Sequence, residues 1–153
     1  MILGAALALV VAALLIFLYP KQEKLILYNA DTGEVYATWQ THEGMRFSIT
    51  FIHSVHQSPL CDVYEIRNGN IYVVETRYSA FGAGVQTELL PGQSLTYQDG
   101  QMIVSGFDLE LKSLRYIIGT VSDHTLNIED KTISLRELCG KNAPVVFTCK
   151  KQF

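Results

Sequence analysis

The chain reads Val63-Tyr-Glu-Ile66, then Asn68-Gly69, then Ile71-Tyr-Val-Val-Glu75. The two outer runs are rich in β-branched and aromatic residues, which favour strands. Asparagine and glycine both tolerate the positive φ angles that a two-residue hairpin turn requires. The stretch therefore predicts two antiparallel strands joined by a tight turn.

The run before this hairpin also has the pattern of a strand. Residues 45–52 alternate apolar and polar side chains over most of their length. Because successive side chains of a strand point to opposite faces, Met45, Phe47, Ile49 and Phe51 share one face. We expect that face to be buried.

Short runs separated by turn signals continue along the rest of the chain. Asp31-Thr-Gly33 and Asp99-Gly100 supply two further turns. Strands are predicted at residues 25–28, 34–39, 95–98, 101–105, 109–111, 115–118, 125–128, 132–135 and 145–149. Residues 135–138 have one helical turn as an alternative. The pattern predicts an all-β domain, a compact β-sandwich or barrel-like arrangement of short antiparallel strands.

The N-terminal segment is different in kind. Residues 1–19 carry no side-chain charge, and as a helix they would span roughly 28 Å, close to the thickness of a hydrocarbon core. Tyr19 stands where an interfacial aromatic belongs, and Pro20 ends the helix. We predict a transmembrane helix over 1–19, a linker over 20–24 and a β-rich domain over 25–153. A cleaved signal peptide is the alternative, but no basic n-region or clear cleavage site supports it.

Charge decides little about the side of the membrane. Lys21 and Lys24 follow the helix and favour a cytoplasmic domain, but Glu23 lies between them and weakens that signal. The net charge of −3, with scattered lysine and arginine, argues against nucleic acid as a partner.

The cysteines leave two interpretations open. Cys139 and Cys149 flank a turn-rich segment that could bring their sulfurs together as a disulfide, which would favour an oxidising compartment. Alternatively, they are two small buried side chains on neighbouring strands. Cys61 stays unpaired in both cases.

Residues 52–65 hold the densest group of reactive side chains: His53, Ser54, His56, Cys61, Asp62 and Glu65. In a continuous strand the two histidines project to opposite faces, so a shared metal ion would need a bend between them. The serine lacks the Gly-x-Ser-x-Gly setting of a hydrolytic nucleophile. We therefore predict no catalytic residue, no metal site, no cofactor and no enzymatic activity.

A glycine-bearing loop, Phe81-Gly-Ala-Gly84, lacks the patterns that cradle phosphates or dinucleotides. Its glycines allow close backbone approach to another strand, or to a ligand or partner. The predicted ligand-binding or partner-binding residues are His53, Ser54, Glu65, Phe81, Gly82, Gly84 and His124.

Four segments occur in an order that resembles a known family. They are Ile52-His-Ser-Val55, Val63-Tyr-Glu65, Ser79-Ala-Phe-Gly-Ala-Gly84 and Asp123-His-Thr-Leu126. Together they resemble the small bacterial family called domain of unknown function 1850, over roughly the whole predicted β-domain. Val85-Gln86 departs from the Leu-Pro expected after the glycine loop.

The resemblance implies a protein anchored in the cell membrane by a single span and encoded beside TRAP transporters with TAXI-type solute-binding proteins. It also implies that the domain is extracytoplasmic. We therefore expect an accessory subunit whose partners are the TRAP membrane subunit and the TAXI-type solute-binding protein, with residues 1–19 in the lipid bilayer. The alternative is an extracytoplasmic module that binds a small carboxylate or a metal.

Overall fold

The computed structural model describes residues 23–53, 57–79 and 88–151. These residues form strands and one short helix in chain order. The elements are β1 (Glu23–Asn29), β2 (Val35–Thr41), β3 (Arg46–Ile52), β4 (Pro59–Arg67), β5 (Asn70–Tyr78), β6 (Ser94–Gln98), β7 (Gln101–Leu111), β8 (Leu114–Ile117), β9 (His124–Ile128), β10 (Lys131–Ser134), α1 (Leu135–Cys139) and β11 (Pro144–Lys151).

The strands form two antiparallel sheets, which confirms the all-β prediction. The small sheet has the order β2-β1-β11-β8, and the large sheet has the order β10-β9-β3-β4-β5-β7-β6. Both sheets contribute to one buried cluster that includes Leu25 and Phe147 from the small sheet and Phe47 and Ile49 from the large one. The stacked rings of Phe47 and Phe147, with centroids 6.0 Å apart, join the two sheets directly.

The hairpin predicted at Asn68-Gly69 joins β4 and β5. Both turn residues have positive φ angles, 50° and 73°. Asp99 and Gly100 form the corresponding turn between β6 and β7, with φ angles of 51° and 75°. These are the left-handed conformations that two-residue hairpin turns require, so both turn predictions are confirmed.

The alternation predicted for β3 is also confirmed. Met45, Phe47 and Ile49 are buried, and Phe51 packs against the same core with part of its ring exposed. Ile52, one position further on, is 37% exposed on the opposite face. Hydrophobic burial on one face therefore sets the orientation of the strand that leads into the candidate site.

Two predicted boundaries differ from the structure. Residues 101–105 and 109–111 belong to one strand, β7, whose pairing with β5 shifts register between Val73 and Glu75. Gly106 stands at this irregularity with a φ of 83°, and a Cβ there would lie 2.2 Å from the carbonyl oxygen of Gly92. Leu135, predicted as a strand end, begins α1, so the helical alternative is correct.

The helix prediction for residues 1–19 lies outside the described residues, as does most of the linker. Within the described ranges, the structure has no helix that is long and apolar enough to span a membrane.

The sandwich has two distinct ends. Tyr116 near the end of β8 contacts Phe51 and His124, so these strand termini meet at what we call the His124 end. At the opposite end, which we call the Glu23 end, the carboxylate of Glu23 approaches the β4–β5 turn. A Cβ on Gly69 would lie 2.8 Å from Glu23 Oε1.

Candidate functional site

Pairing between β3 and β9 places two predicted site residues at the His124 end. His124 lies opposite Phe51 in the register. Half-buried His53 stands two residues after Phe51, directly beyond the end of β3. The backbone N–H of His53 donates to the carbonyl of Ser58, 2.9 Å away, which holds the end of β3 beside the start of β4. The structure therefore brings the two histidines to the same end of the large sheet.

Glu65 does not join them. It pairs in register with Arg46 and Tyr72, five residues along β4 from Leu60, which is about 17 Å at the rise of a strand. Its carboxylate accepts hydrogen bonds from Arg46 Nε and Arg67 Nε, each at 2.6 Å. The hydrogen bond from Arg67, with support from Arg46, lowers the pKa of this carboxyl. Glu65 therefore belongs to a surface ion-pair group, and not to the histidine end.

Four predicted residues, Ser54, Phe81, Gly82 and Gly84, lie outside the described residues, so their predicted role stays a prediction.

Three rings, those of Phe51, Tyr116 and His124, pack against one another at the His124 end. His124 stacks on Phe51 with ring centroids 5.1 Å apart, and Tyr116 meets His124 edge-on at 5.4 Å. Tyr116 comes from the small sheet, whereas the other two rings come from the large sheet. Sheet-to-sheet packing therefore builds this cluster, and residue spacing along the chain does not reveal it.

A backbone hydrogen bond sets the tautomer of His124. The N–H of Gly119 donates to Nδ1 at 3.2 Å, so the neutral ring carries its hydrogen on Nε2. Burial lowers the pKa of His124, although the neighbouring charge of Asp123 opposes the shift. The neutral imidazole is therefore favoured, with Nε2–H as its donor.

Polar side chains run inward from this cluster. The hydroxyls of Tyr64 and Tyr116 are 2.6 Å apart, which joins the two sheets, and Thr76 donates to Asp62 Oδ1 at 2.8 Å. The nearby hydroxyl of Tyr64 also lowers the pKa of Asp62, against the effect of burial. Either tyrosine hydroxyl can be the donor in the Tyr64–Tyr116 hydrogen bond. Burial raises the pKa of both tyrosines far above their ordinary value.

The loop that precedes His124 is attached to α1 by side-chain hydrogen bonds. Asp123 accepts from the hydroxyl of Ser134 and, at 3.0 Å, from the backbone N–H of Arg136. Arg136 Nη1 donates to the carbonyl of Val121 at 3.1 Å. Burial alone would raise the pKa of Asp123, but these hydrogen bonds outweigh it and lower the pKa. The helix therefore fixes the approach of the chain to His124.

The family model described as domain of unknown function (DUF1850) matches residues 47–135, more than half of the chain. The chain belongs to the DUF1850 family. Neither a curated protein nor a solved structure matches it.

The DUF1850 match runs from β3 to the first residue of α1. It contains the three rings of the His124 end and the hydrogen-bonded side chains Asp62, Tyr64 and Thr76. The predicted site residues include neither Tyr64 nor Tyr116. A signal was present at Asp62, because a carboxylate stands two residues before Tyr64 on a strand face that is otherwise apolar. A charged residue on a core face is unusual enough to mark a candidate site.

Asp62 makes the stability of this DUF1850 domain depend on pH. Burial raises the pKa of its carboxyl from 3.8, and the hydrogen bonds from Thr76 and Tyr64 only partly oppose that shift. The native state therefore binds the proton of Asp62 more tightly than the unfolded state does. The stabilisation that this proton provides is lost as pH rises from the pKa of Asp62 in the unfolded state through its pKa in the folded state. Urea unfolding monitored by the fluorescence of Trp39 measures the effect. Across that pH interval, the free energy of unfolding of Asp62→Asn should rise relative to that of the natural chain.

Asp108→Asn, at a surface carboxyl whose side chain is 81% exposed, is the control for that comparison. A stability difference between Asp62→Asn and the natural chain that stays constant with pH would contradict the partly buried position of the Asp62 carboxyl.

The three cysteines are free thiols, so the disulfide alternative for Cys139 and Cys149 is not present. Both pack against the main core. Burial raises the pKa of Cys139 to about 11, and burial with the nearby charge of Glu23 raises that of Cys149 to about 11. The thiolate, which is the reactive form, is therefore scarce at neutral pH.

We expect iodoacetamide at pH 7.5 to alkylate Cys139 and Cys149 slowly in the folded chain and rapidly in urea, as measured by mass spectrometry of the two peptides. Equal rates in the two conditions would show that the fold does not shield the two thiols from the reagent.

Among residues 23–53, 57–79 and 88–151, no group of three or more His, Cys, Asp or Glu side chains is arranged to hold a metal ion. His124 has its Nδ1 occupied by a backbone donor, and Asp62 is engaged by hydroxyls. This arrangement suits binding through Nε2–H and aromatic surfaces better than proton abstraction from a nucleophile.

Proposed function

We propose that this chain is a membrane-anchored, non-enzymatic accessory subunit of a TAXI-type TRAP transporter, with its β-domain docking the solute-binding protein. Membership of the DUF1850 family supports the association with such transporters that the resemblance implies. The uncharged run over residues 1–19 supports the anchor.

The positions of the two ends of the sandwich support separate roles, one in membrane anchoring and one in docking. Glu23, the described residue nearest to the predicted anchor, lies at the end opposite His124. Strands of seven residues such as β1 and β3 are about 23 Å long. With the anchor joined at the Glu23 end, the His124 end is the one directed away from the bilayer, toward a protein on the same side.

Exposed apolar side chains at the His124 end carry the docking proposal. Ile52, Ile117 and Val121 are 37%, 66% and 91% exposed. Each stands within three residues of a member of the ring cluster, and together they border both sheets at this end. Exposed apolar side chains at one end of a domain can serve as contacts for another protein.

Capture from detergent extracts tests the proposal. The tagged full chain should recover both the TRAP membrane subunit and the solute-binding protein. Val121→Asp with Ile117→Asp should lose the solute-binding protein and keep the membrane subunit, because the helix is unchanged. Leu109→Asp, at a 56% exposed position on β7 away from this end, is the matched control and should keep both. Recovery of neither component by the natural chain would overturn the proposal.

The side of the membrane has its own test. Protease should digest the domain in cells whose outer envelope is permeabilised while the cell membrane stays intact. Digestion only after lysis of the cell membrane would place the domain in the cytoplasm and leave the anchor unaffected.

His124 favours a second candidate function, the binding of a small carboxylate. Its Nε2–H is a fixed donor beside the rings of Phe51 and Tyr116. At least one acid from a panel of organic acids should then raise the melting temperature of the natural chain, and His124→Phe should abolish that response. No response from a folded natural chain would exclude this candidate.

A further inference from the structure

A polar cleft of about 240 Å³ lies on the outer face of the large sheet, away from the ring cluster. Strands β5, β7 and β6 form its floor. Their register places Arg77, Ile103 and Thr96 in one row, and Glu75 beside Ser105 in the next. Gln98 and Gln101, which face each other across the β6–β7 hairpin, complete the wall.

The side chains of Thr96, Gln98 and Gln101 are available for a ligand. Within the described part of the chain, none of the three makes a side-chain hydrogen bond, and none of their polar atoms is both buried and unpaired. Other polar groups on this sheet are engaged with one another, as in the pairs Tyr72–Glu110 and Thr132–Asn127. The cleft therefore concentrates amides and a hydroxyl that can both donate and accept.

Charge in the cleft selects against anions. Arg77 Nε and Glu75 Oε1 form an ion pair at 2.5 Å, so the positive charge is already balanced. Asp99 adds a negative charge at the rim. An anionic ligand would meet a net negative site, whereas a neutral ligand would meet only hydrogen-bonding groups.

We propose that this cleft binds one unit of a neutral saccharide. Adjacent hydroxyls of a sugar both donate and accept, which matches the amides of Gln98 and Gln101 and the hydroxyl of Thr96. Ile103 offers an apolar surface to the C–H face of the ring. The volume is below that of sites for drug-sized ligands and suits a single ring. This site is independent of the docking proposed above, because it uses none of the same residues.

Saturation-transfer NMR on the full chain in nanodiscs, which avoids sugar-based detergents, tests the proposal. The probes are glucose, galactose and N-acetylglucosamine, with glucuronate as the charged counterpart. At least one neutral sugar should receive saturation. The double variant Gln98→Ala, Gln101→Ala should weaken that binding about tenfold, because two hydrogen bonds are lost.

Gln40→Ala, at an exposed glutamine on β2 of the other sheet, is the matched control and should leave binding unchanged. Glucuronate should bind more weakly than glucose. The proposal is overturned if a folded natural chain transfers saturation to none of the neutral sugars, if the double variant binds like the control, or if glucuronate binds as well as glucose.

Discussion

Replacement of Phe147 by alanine is expected to lower the free energy of unfolding by about 3–5 kcal/mol. Phe147 is completely buried and its ring stacks on Phe47 of the opposite sheet. Removal of the ring leaves a cavity where the two sheets meet, and the strands on either side cannot close it without losing their own register. Urea unfolding followed by the fluorescence of Trp39 measures the change.

Val35→Ala is the control for this variant, because Val35 is 55% exposed at the edge of the small sheet. It should change stability by less than about 0.5 kcal/mol, as surface substitutions usually do. If Phe147→Ala were no more destabilising than this control, the two sheets would not share the core described above.

Gly119→Ala is expected to destabilise the domain by about 1–3 kcal/mol and to disturb His124. A Cβ at this position would lie 2.1 Å from the carbonyl oxygen of Ser122, a backbone atom that cannot move alone. The loop must shift, and the N–H of Gly119 then leaves Nδ1 of His124. NMR of the imidazole should show a changed tautomer balance and a changed pKa for His124, in addition to the lower stability.

Thr120→Ala is the matched control, since Thr120 is the next residue in the same loop and is exposed. It should leave the imidazole resonances of His124 in place. Unchanged resonances in Gly119→Ala would mean that Gly119 does not position the ring, and normal stability in that variant would mean that the loop has room for a side chain.

Local chemistry made much of the architecture predictable. The Asn68-Gly69 turn depends on two residues that accept positive φ angles, and the structure has both angles. The alternation over residues 45–52 depends only on the period of a strand and the burial of one face, and Met45, Phe47 and Ile49 are buried accordingly. Such features involve neighbours in the chain, so a single sequence is enough to find them.

The candidate site was only partly predictable. Residue chemistry predicts His53 and His124 as site residues, and strand pairing brings them to one end. Residue chemistry predicts Glu65 in the same way, yet β4 carries it toward the opposite end, where Arg46 and Arg67 pair with it. Residue type identifies a reactive group but does not reveal which end of a sheet it reaches.

By itself, then, the sequence determined the strand-and-turn pattern, the all-β class, the orientation of β3 and membership of the DUF1850 family. Only the tertiary structure decided that Tyr116 from the small sheet meets Tyr64 and His124 from the large one. It also decided that Glu23 and His124 lie at opposite ends. Turns and strands depend on the φ preferences and burial of nearby residues, whereas contacts between residues 52 positions apart depend on how two complete sheets pack.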